Sequence, residues 1–409
     1  MEFHHELIDD SPPCGRLFVC QTTDLTGNGQ PDLIVGGLGS ETLPLVGVDG
    51  LPLVGRLFRR LESDLFWYEN PGWDRHVISP RSDLRALGNA LGDVTGNGCQ
   101  DLFVAQGFGA SDIYWFEQPD DPQEPWLQHL IGSPLEKYHD LAFGDIDGDG
   151  RKELVGASQG SETLFYYDVP ADPYREPWPD DCRHVIAQGT NVEGLEIVDL
   201  DGDGRNELVA GTSIYRPSTA ADGASTSAAP ETDGGRAADG WTREEIVPGW
   251  DWTRIAAGDL DGDGDPELVF AEGDAPLLGD RMGRLGWFDP PEWTPHVLRE
   301  DLYCPHTVQV ADFDGDGRPD IYVAEMGTDR NDGDAEHLLF RNRGGGDFEE
   351  TVVARGTPTH EAKAVDVDGD GRVDVVGKSY APNPHVDVWY NRRDSRDAAT
   401  EHPGTAHDD

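Results

Sequence analysis

Seven times along the chain an acidic, glycine-rich loop of nine residues sits between two short apolar runs. This repetition restricts the fold more than any other feature. The loops start at Asp24, Asp93, Asp145, Asp199, Asp259, Asp312 and Asp366, as in "FGDIDGDGRKELVGAS" from Phe143. Their starts are separated by 69, 52, 54, 60, 53 and 54 residues. A helix-loop-helix calcium motif does not fit, because the flanks are strand-like and no Glu stands at the twelfth position. A period of about 50 residues holding several short strands is that of propeller blades.

Aligned, each unit reads as four strands. A first strand such as "HDLAFGD" runs into the loop, and a second such as "ELVGAS" leaves it. The third is aromatic, as in "LFWYENP", "IYWFEQP", "LFYYDVP" and "VDVWYN", and the fourth often carries His and two aliphatics, as in "RHVIS" and "PHVLR". After the seventh loop only "VDVVGKS" and "VDVWYN" precede a polar tail, whereas "HHELIDD" offers a fourth-type strand before the first loop. The predicted fold is therefore all-β: one seven-bladed propeller of four-stranded blades over residues 1–393. Strands from both termini meet in the last blade and close the ring, which removes free sheet edges. Three stretches depart from the unit. They are "GLGSETLPLVGVDGLPLVGRLFRR" in blade 1, an Ala/Gly/Ser/Asp-rich insertion at about 218–240, and the tail 394–409. The last two are predicted to be disordered, having too little apolar content for a core.

The loops offer hard oxygen ligands at positions 1, 3, 5 and 9. In five they are all carboxylates: Asp145, Asp147, Asp149 and Glu153; Asp199, Asp201, Asp203 and Glu207; Asp259, Asp261, Asp263 and Glu267; Asp312, Asp314, Asp316 and Asp320; Asp366, Asp368, Asp370 and Asp374. The first two loops substitute the middle pair, giving Asp24, Thr26, Asn28 and Asp32, then Asp93, Thr95, Asn97 and Asp101. This spacing suits Ca²⁺, up to seven ions, better than Mg²⁺, which gives up its water reluctantly. The Thr/Asn loops, each two charges poorer, are expected to bind more weakly. Equivalent sites spread round a ring point to a scaffold role, not to chemistry.

The charge balance bears on partners. Against 31 Lys+Arg stand 80 Asp+Glu, a net charge of −49, and only four residues are Lys. Seven calcium ions would offset only about 14 of these charges, so most of the acid is solvated surface. Such a field excludes nucleic acid as a partner and is tolerable where salt screens it. The Asp-rich, Lys-poor composition resembles that of salt-accumulating halophiles. No apolar run is long enough to span a membrane. "MEFHHELIDD" has neither a basic nor an apolar leader region, which points to a cytoplasmic protein. The five cysteines, Cys14, Cys20, Cys99, Cys182 and Cys304, form no C-x-x-C pair and read as free thiols.

On these loops and strands the chain, from about residue 4 to 393, resembles the FG-GAP/VCBS family of calcium-binding propellers, which includes integrin heads, adhesins and carbohydrate-active lyases. The "FWYENPGWDRHVIS" spacing from Phe66 resembles the propeller domain of the aldos-2-ulose dehydratases. That resemblance implies elimination of water from a keto-sugar.

Chemistry is expected on the face opposite the metal loops, around the channel mouth. Six residues before each loop Asp, that register holds Phe18, Leu87, His139, Glu193, Thr253, His306 and His360, with Asp140, Arg254 and Glu361 next to it. Blades 1 and 2 are apolar there; the other five are polar. Loops from second to third strands add Lys378, Tyr380, His385, Glu325 and Glu272. His139, Glu193, Arg254, His306, His360, Lys378 and Tyr380 are the candidate catalytic set for β-elimination from a small sugar. In that scheme a His or Tyr removes the α-proton, Arg254 or Lys378 steadies the enolate, and a second His or Tyr protonates the leaving oxygen. Alternatively the His/Glu cluster holds one divalent metal that polarises a carbonyl. Two other functions remain open, a polysaccharide lyase on uronate polymers and a non-catalytic calcium-dependent ligand-binding propeller. A second His set, His76, His129, His184 and His296, recurs with the blade period and is assigned to structure.

Overall fold

The computed structural model describes residues 1–38, 64–81, 83–190, 192–218, 234–328 and 333–392. The protein is an all-β, seven-bladed propeller whose blades are antiparallel four-stranded sheets. Blade 1 comprises β2 (Arg16–Thr23), β3 (Asp32–Leu38), β4 (Leu65–Glu69) and β5 (Asp74–Ser79). Blade 2 comprises β6 (Ala86–Gly92), β7 (Asp101–Gln106), β8 (Ile113–Glu117) and β9 (Leu127–Gly132). Blade 3 is β10 (Tyr138–Gly144), β11 (Glu153–Ser158), β12 (Thr163–Asp168) and β13 (Arg183–Thr190). Blade 4 is β14 (Leu195–Val198), β15 (Glu207–Ala210), β16 (Ser213–Pro217) and β18 (Trp241–Glu245). Blade 5 is β19 (Thr253–Gly258), β20 (Glu267–Glu272), β21 (Gly283–Asp289) and β22 (Thr294–Leu302). Blade 6 is β23 (Pro305–Ala311), β24 (Asp320–Glu325), β25 (Glu336–Asn342) and β26 (Phe348–Arg355). Blade 7 combines β27 (Glu361–Val365), β28 (Asp374–Lys378) and β29 (Val386–Arg392) with β1 (Glu2–Asp9), which pairs antiparallel with β29 from Glu2–Arg392 to Asp9–Val386. The first strand of each blade lies against its neighbours, β27 against β2 included.

One departure concerns the insertion expected to be unstructured at about 218–240. Its end forms β17 (Gly234–Ala237), a fifth strand on the outer edge of blade 3, pairing Ala187 with Ala237 and Thr190 with Gly234. Edge pairing uses backbone N–H and C=O groups alone, so a segment poor in apolar side chains still adds to an open edge. Residues 219–233, the bulk of the blade 1 excursion (39–63) and the tail lie outside the described residues. Among the described residues no helix is long and apolar enough to cross a membrane, and none of the five cysteines is in a disulfide.

The core lies between blades. The aromatic third strands explain this: Trp67 of blade 1 packs with Leu102, Val104 and Phe116 of blade 2, and Trp115 of blade 2 with Leu154 and Phe165 of blade 3. The recurring His set is structural, as expected. Each ring stacks on the cross-strand aromatic of the third strand: His76 on Trp67 (4.6 Å), His129 on Trp115 (4.3 Å), His184 on Tyr166 (4.8 Å) and His296 on Trp287 (3.9 Å, 7° between planes). In blade 7, His5 of β1 takes the same place on Trp389 (5.1 Å).

Blades are also joined by hydrogen bonds that the sequence reading did not anticipate. The residue after the third strand's aromatics is Asn70, Gln118, Asn342 or Asn391 in four blades, all buried. Its amide reaches the preceding blade's acidic loop at position 2. Asn70 Nδ2 donates to Val367 O (2.6 Å), Gln118 Nε2 to Leu25 O (3.0 Å), Asn342 Nδ2 to Leu260 O (2.6 Å) and Asn391 Nδ2 to Phe313 O (2.7 Å). The backbone N–H of the same residue donates to the position-9 carboxylate of its own blade, for example Asn70 N to Asp32 (2.8 Å). The acidic loop and the polar residue after the aromatics thus form one joint between adjacent sheets.

Candidate functional site

Where the first strands begin, the backbone departs from regular pairing, and that departure builds the mouth. The ladder of β2 slips between Leu17 and Val19, that of β6 between Ala86 and Gly88, that of β10 between Tyr138 and Asp140, and that of β23 between Pro305 and Thr307. Phe18, Leu87, His139 and His306 are therefore bulge residues, which pairing leaves unmatched and re-aims. Glu193 and His360 stand just ahead of β14 and β27. In blade 5 the first ladder runs without a bulge, with Thr253 opposite Glu272 and Arg254 opposite Ala271. There Thr253 turns inward to donate to Glu193 O (3.2 Å), and Arg254 takes the site position.

The polar side chains then run in one chain across blades 3 to 7. His139 Nδ1 lies 2.8 Å from Asp140 and its Nε2 3.6 Å from Glu193. Arg254 Nη2 lies 3.2 Å from Glu193 and donates to His306 Nε2. His306 Nδ1 donates to His360 O (2.9 Å), and the two imidazoles stack at 4.0 Å. Lys378 Nζ donates to His360 Nδ1 and to Leu17 O of blade 1 (2.9 Å). Opposite this chain is an apolar wall. Phe18 meets His360 edge-on (5.7 Å), Tyr380 edge-on (5.4 Å) and Phe108 (5.4 Å), and Tyr380 lies over His360 at 4.9 Å.

Charges in this buried setting are strongly conditioned by one another. Burial alone would depress His139, but Glu193 and then Asp140 outweigh it and hold the imidazole above its ordinary value. Burial works against ionisation of Asp140 and Glu193; His139 and Arg254 overcome it and keep both below the usual carboxylate range. His306 and His360 are pushed well down, by burial first and then by Arg254 and His306 respectively. Burial also brings Lys378 down to about 8, against the pull of Glu361.

All seven candidate catalytic residues thus come together. Glu272, Glu325 and His385, suggested for the same face, do not. Glu272 is bound by Arg281 and Arg284, Glu325 accepts Tyr303 N (2.6 Å) and Glu336 N (3.0 Å), and His385 pairs with Asp387. These three fasten turns. Two members of the mouth escaped the sequence reading. Gln159 donates to Glu193, and Asp274 is hydrogen-bonded to Glu193 and lies 4.0 Å from His306 Nε2. The only signal for either was its position just past a second strand. Among the described residues, Arg254 Nη1 is buried without a hydrogen-bond partner, with Asp140 3.9 Å away.

The cluster does not suit a divalent metal. His306 gives Nδ1–H to a carbonyl and has Arg254 on Nε2, while His360 has Lys378 on Nδ1. Lone pairs already held by cationic donors offer nothing to a metal. The acidic loops fit a cation better. Carboxylate oxygens of Asp145, Asp147 and Glu153 lie within 4.8 Å of one another, as do those of Asp199, Asp201 and Asp203, of Asp259, Asp261 and Asp263, and of Asp312, Asp314 and Asp316. Buried loop oxygens without a hydrogen-bond partner include Thr26 Oγ1, Thr95 Oγ1, Asp199 Oδ1, Glu267 Oε1 and Asp314 Oδ1. All sit at position 1, 3 or 9. Two glycines of each loop make the tight turn at positive φ, for example Gly148 at 76° and Gly150 at 85°.

Comparison with known proteins agrees with the repeat. An FG-GAP-like repeat profile matches residues 93–156, 145–210 and 312–377. The chain is 26% identical to aldos-2-ulose dehydratase of Phanerodontia chrysosporium, over 73% of this chain and 37% of the relative. It thus spans little more than a third of that protein's length. Among solved structures, the V. cholerae biofilm matrix protein Bap1 aligns with 96% of this chain and 92% of its own, at 11% identity and a TM-score of 0.48.

Proposed function

We propose that this propeller of FG-GAP-like repeats is a carbon–oxygen lyase that eliminates water from a keto-sugar at its channel mouth. The observation that carries the reading is Arg254: a buried guanidinium whose Nη1 amino group has no hydrogen-bond partner among the described residues, set between proton-transferring groups. A buried N–H without an acceptor is costly, and the oxygen of an enolate forming in the mouth would supply one. Lys378 is less suited to that role, because two of its three N–H groups already go to Leu17 O and His360. His139, whose protonated form Glu193 and Asp140 favour, is the donor for the leaving oxygen. The wall of Phe18, Phe108 and Tyr380 gives the ring of a sugar an apolar surface. The distant likeness to a dehydratase points the same way. Calcium in the acidic loops, held by their positions 1, 3, 5 and 9, is proposed as a staple that supplies no chemistry to the mouth.

The test is an ultraviolet assay in molar KCl with calcium, because elimination next to a carbonyl creates a conjugated product. Keto-sugars, 1,5-anhydrofructose among them, are offered beside a panel of uronate polymers. Arg254→Gln is expected to lower kcat about 10²–10³-fold, the usual effect of removing one oxyanion donor. Turnover of uronates alone would move the activity to a polysaccharide lyase. Silence across the panel from folded, metal-loaded protein would reject the enzyme reading in favour of a ligand-binding propeller.

A further inference from the structure

We infer that Asp274, hydrogen-bonded to Glu193, is the base that removes the α-proton; this rests on the elimination reading above. The mouth leaves few other candidates. His306 and His360 have their acceptor nitrogens occupied by Arg254 and Lys378. Glu193 and Asp140 favour the protonated form of His139, which suits it to give a proton and not to take one. Asp140 accepts Gly194 N (3.0 Å) and lies against His139, both of which weaken it as a base. Asp274 differs from all of these. Burial and the neighbouring Glu193 push its carboxyl up to about 7, so a proton captured there is held. Two carboxyls in hydrogen-bond contact cannot both ionise readily, and the pair shares one proton.

The backbone fixes Asp274 for this work. Gly273 N donates to Trp252 O (2.8 Å), Ala275 N to Glu272 O (3.2 Å) and Leu278 N to Asp274 O (2.9 Å). Gly273 lies flat on Arg254, since a Cβ there would stand 3.0 Å from Arg254 Cγ and 3.4 Å from His306 Cδ2. Base and enolate-stabilising cation are thus held side by side. In the step, the pair, having lost its shared proton near neutrality, takes the proton from the carbon α to the carbonyl onto Asp274. The C–H electron pair becomes the new C=C bond as the β C–O bond breaks, and the oxygen leaves as water with a proton from His139. Nothing is oxidised or reduced, and solvent restores both groups.

The groups facing Asp274 are Glu193, Arg254, His139 and His306, and they fix its pH behaviour. The acid limb of the kcat profile should lie near neutrality, because the base must be ionised. Glu193→Gln removes a negative neighbour and should move that limb to lower pH. Asp274→Asn is expected to lower kcat by about 10²–10⁴-fold, with its melting temperature unchanged. The decisive probe is a keto-sugar lacking the β-hydroxyl, which can exchange its α-proton with D₂O but cannot eliminate. Wild type should exchange it, His139→Gln should still do so, and Asp274→Asn should bind it and not exchange it. Exchange retained in Asp274→Asn, with elimination lost in His139→Gln, overturns the base and leaves the elimination standing. A wild type that neither exchanges nor eliminates any keto-sugar rejects the elimination itself. Should Asp274→Asn fail to fold, an acid limb unmoved in Glu193→Gln rejects the assignment.

Discussion

Stripping divalent cations with EDTA at pH 7.5 is expected to lower the melting temperature steeply, and returning calcium should restore it. The magnitude follows from the loops. Ligand at a hundredfold its Kd stabilises a fold by about 2.7 kcal/mol per site, so the five all-carboxylate loops together would supply about 13 kcal/mol. That rivals the whole stability of an ordinary domain. The chelated protein should also show an inverted pH dependence. Burial, with help from neighbouring loop carboxylates, raises the position-9 acids to about 6 at Asp32, Asp101, Asp320 and Asp374, and to about 7 at Glu153 and Glu267. These groups bind protons more readily folded than unfolded. Their contribution to the metal-free fold is therefore fully present below the unfolded values near 4 and is lost as pH rises toward 7. Calcium needs the ionised ligands, so its benefit grows over the same range. Melts followed by circular dichroism at pH 5.5 and 8 should show the EDTA and calcium curves drawing apart with pH. Calcium titration at pH 7.5 should show two classes, with the Thr26/Asn28 and Thr95/Asn97 loops filling last. A melting temperature that EDTA leaves untouched at pH 7.5 would refute the staple.

Two further outcomes test the scaffold and the mouth separately. Asn391→Ala leaves Phe313 O and Val373 O, 2.7 and 3.1 Å from the lost amide, without that donor. At about 1–3 kcal/mol for a buried group left unsatisfied, the denaturation midpoint should fall clearly, and an unchanged midpoint would remove the joint's importance. Gly273→Ala should shift Arg254 by a few tenths of an ångström and reduce kcat/KM by roughly tenfold or more while leaving the melt alone. Full activity in that variant would show that the close apposition of the two residues has no role.

What could be read in the sequence and what could not divide along a physical line. Strand order, blade number and the place of "HHELIDD" beside β29 were legible because every blade must solve the same packing problem, and equal problems leave a period. The joint at Asn70, Gln118, Asn342 and Asn391 was equally periodic, yet it hid among aromatics whose packing seemed to explain the strand by itself. The mouth is harder, because it is made where blades differ. Counting back from the loop Asp found Phe18, Leu87, His139 and His306, since the count lands on the bulge that turns each toward the mouth. In blade 5 the same count gives Thr253, and only the unbroken ladder there hands the position to Arg254. Asp274 has no counterpart in the count at all. It reaches the mouth from the turn that follows the second strand of blade 5. A ring of near-identical sheets supplies a rigid frame, and chemistry enters it through such local exceptions. Residues that break the blade pattern while remaining buried and polar, Asp274 and Arg254 foremost, are where substitution should separate activity from folding.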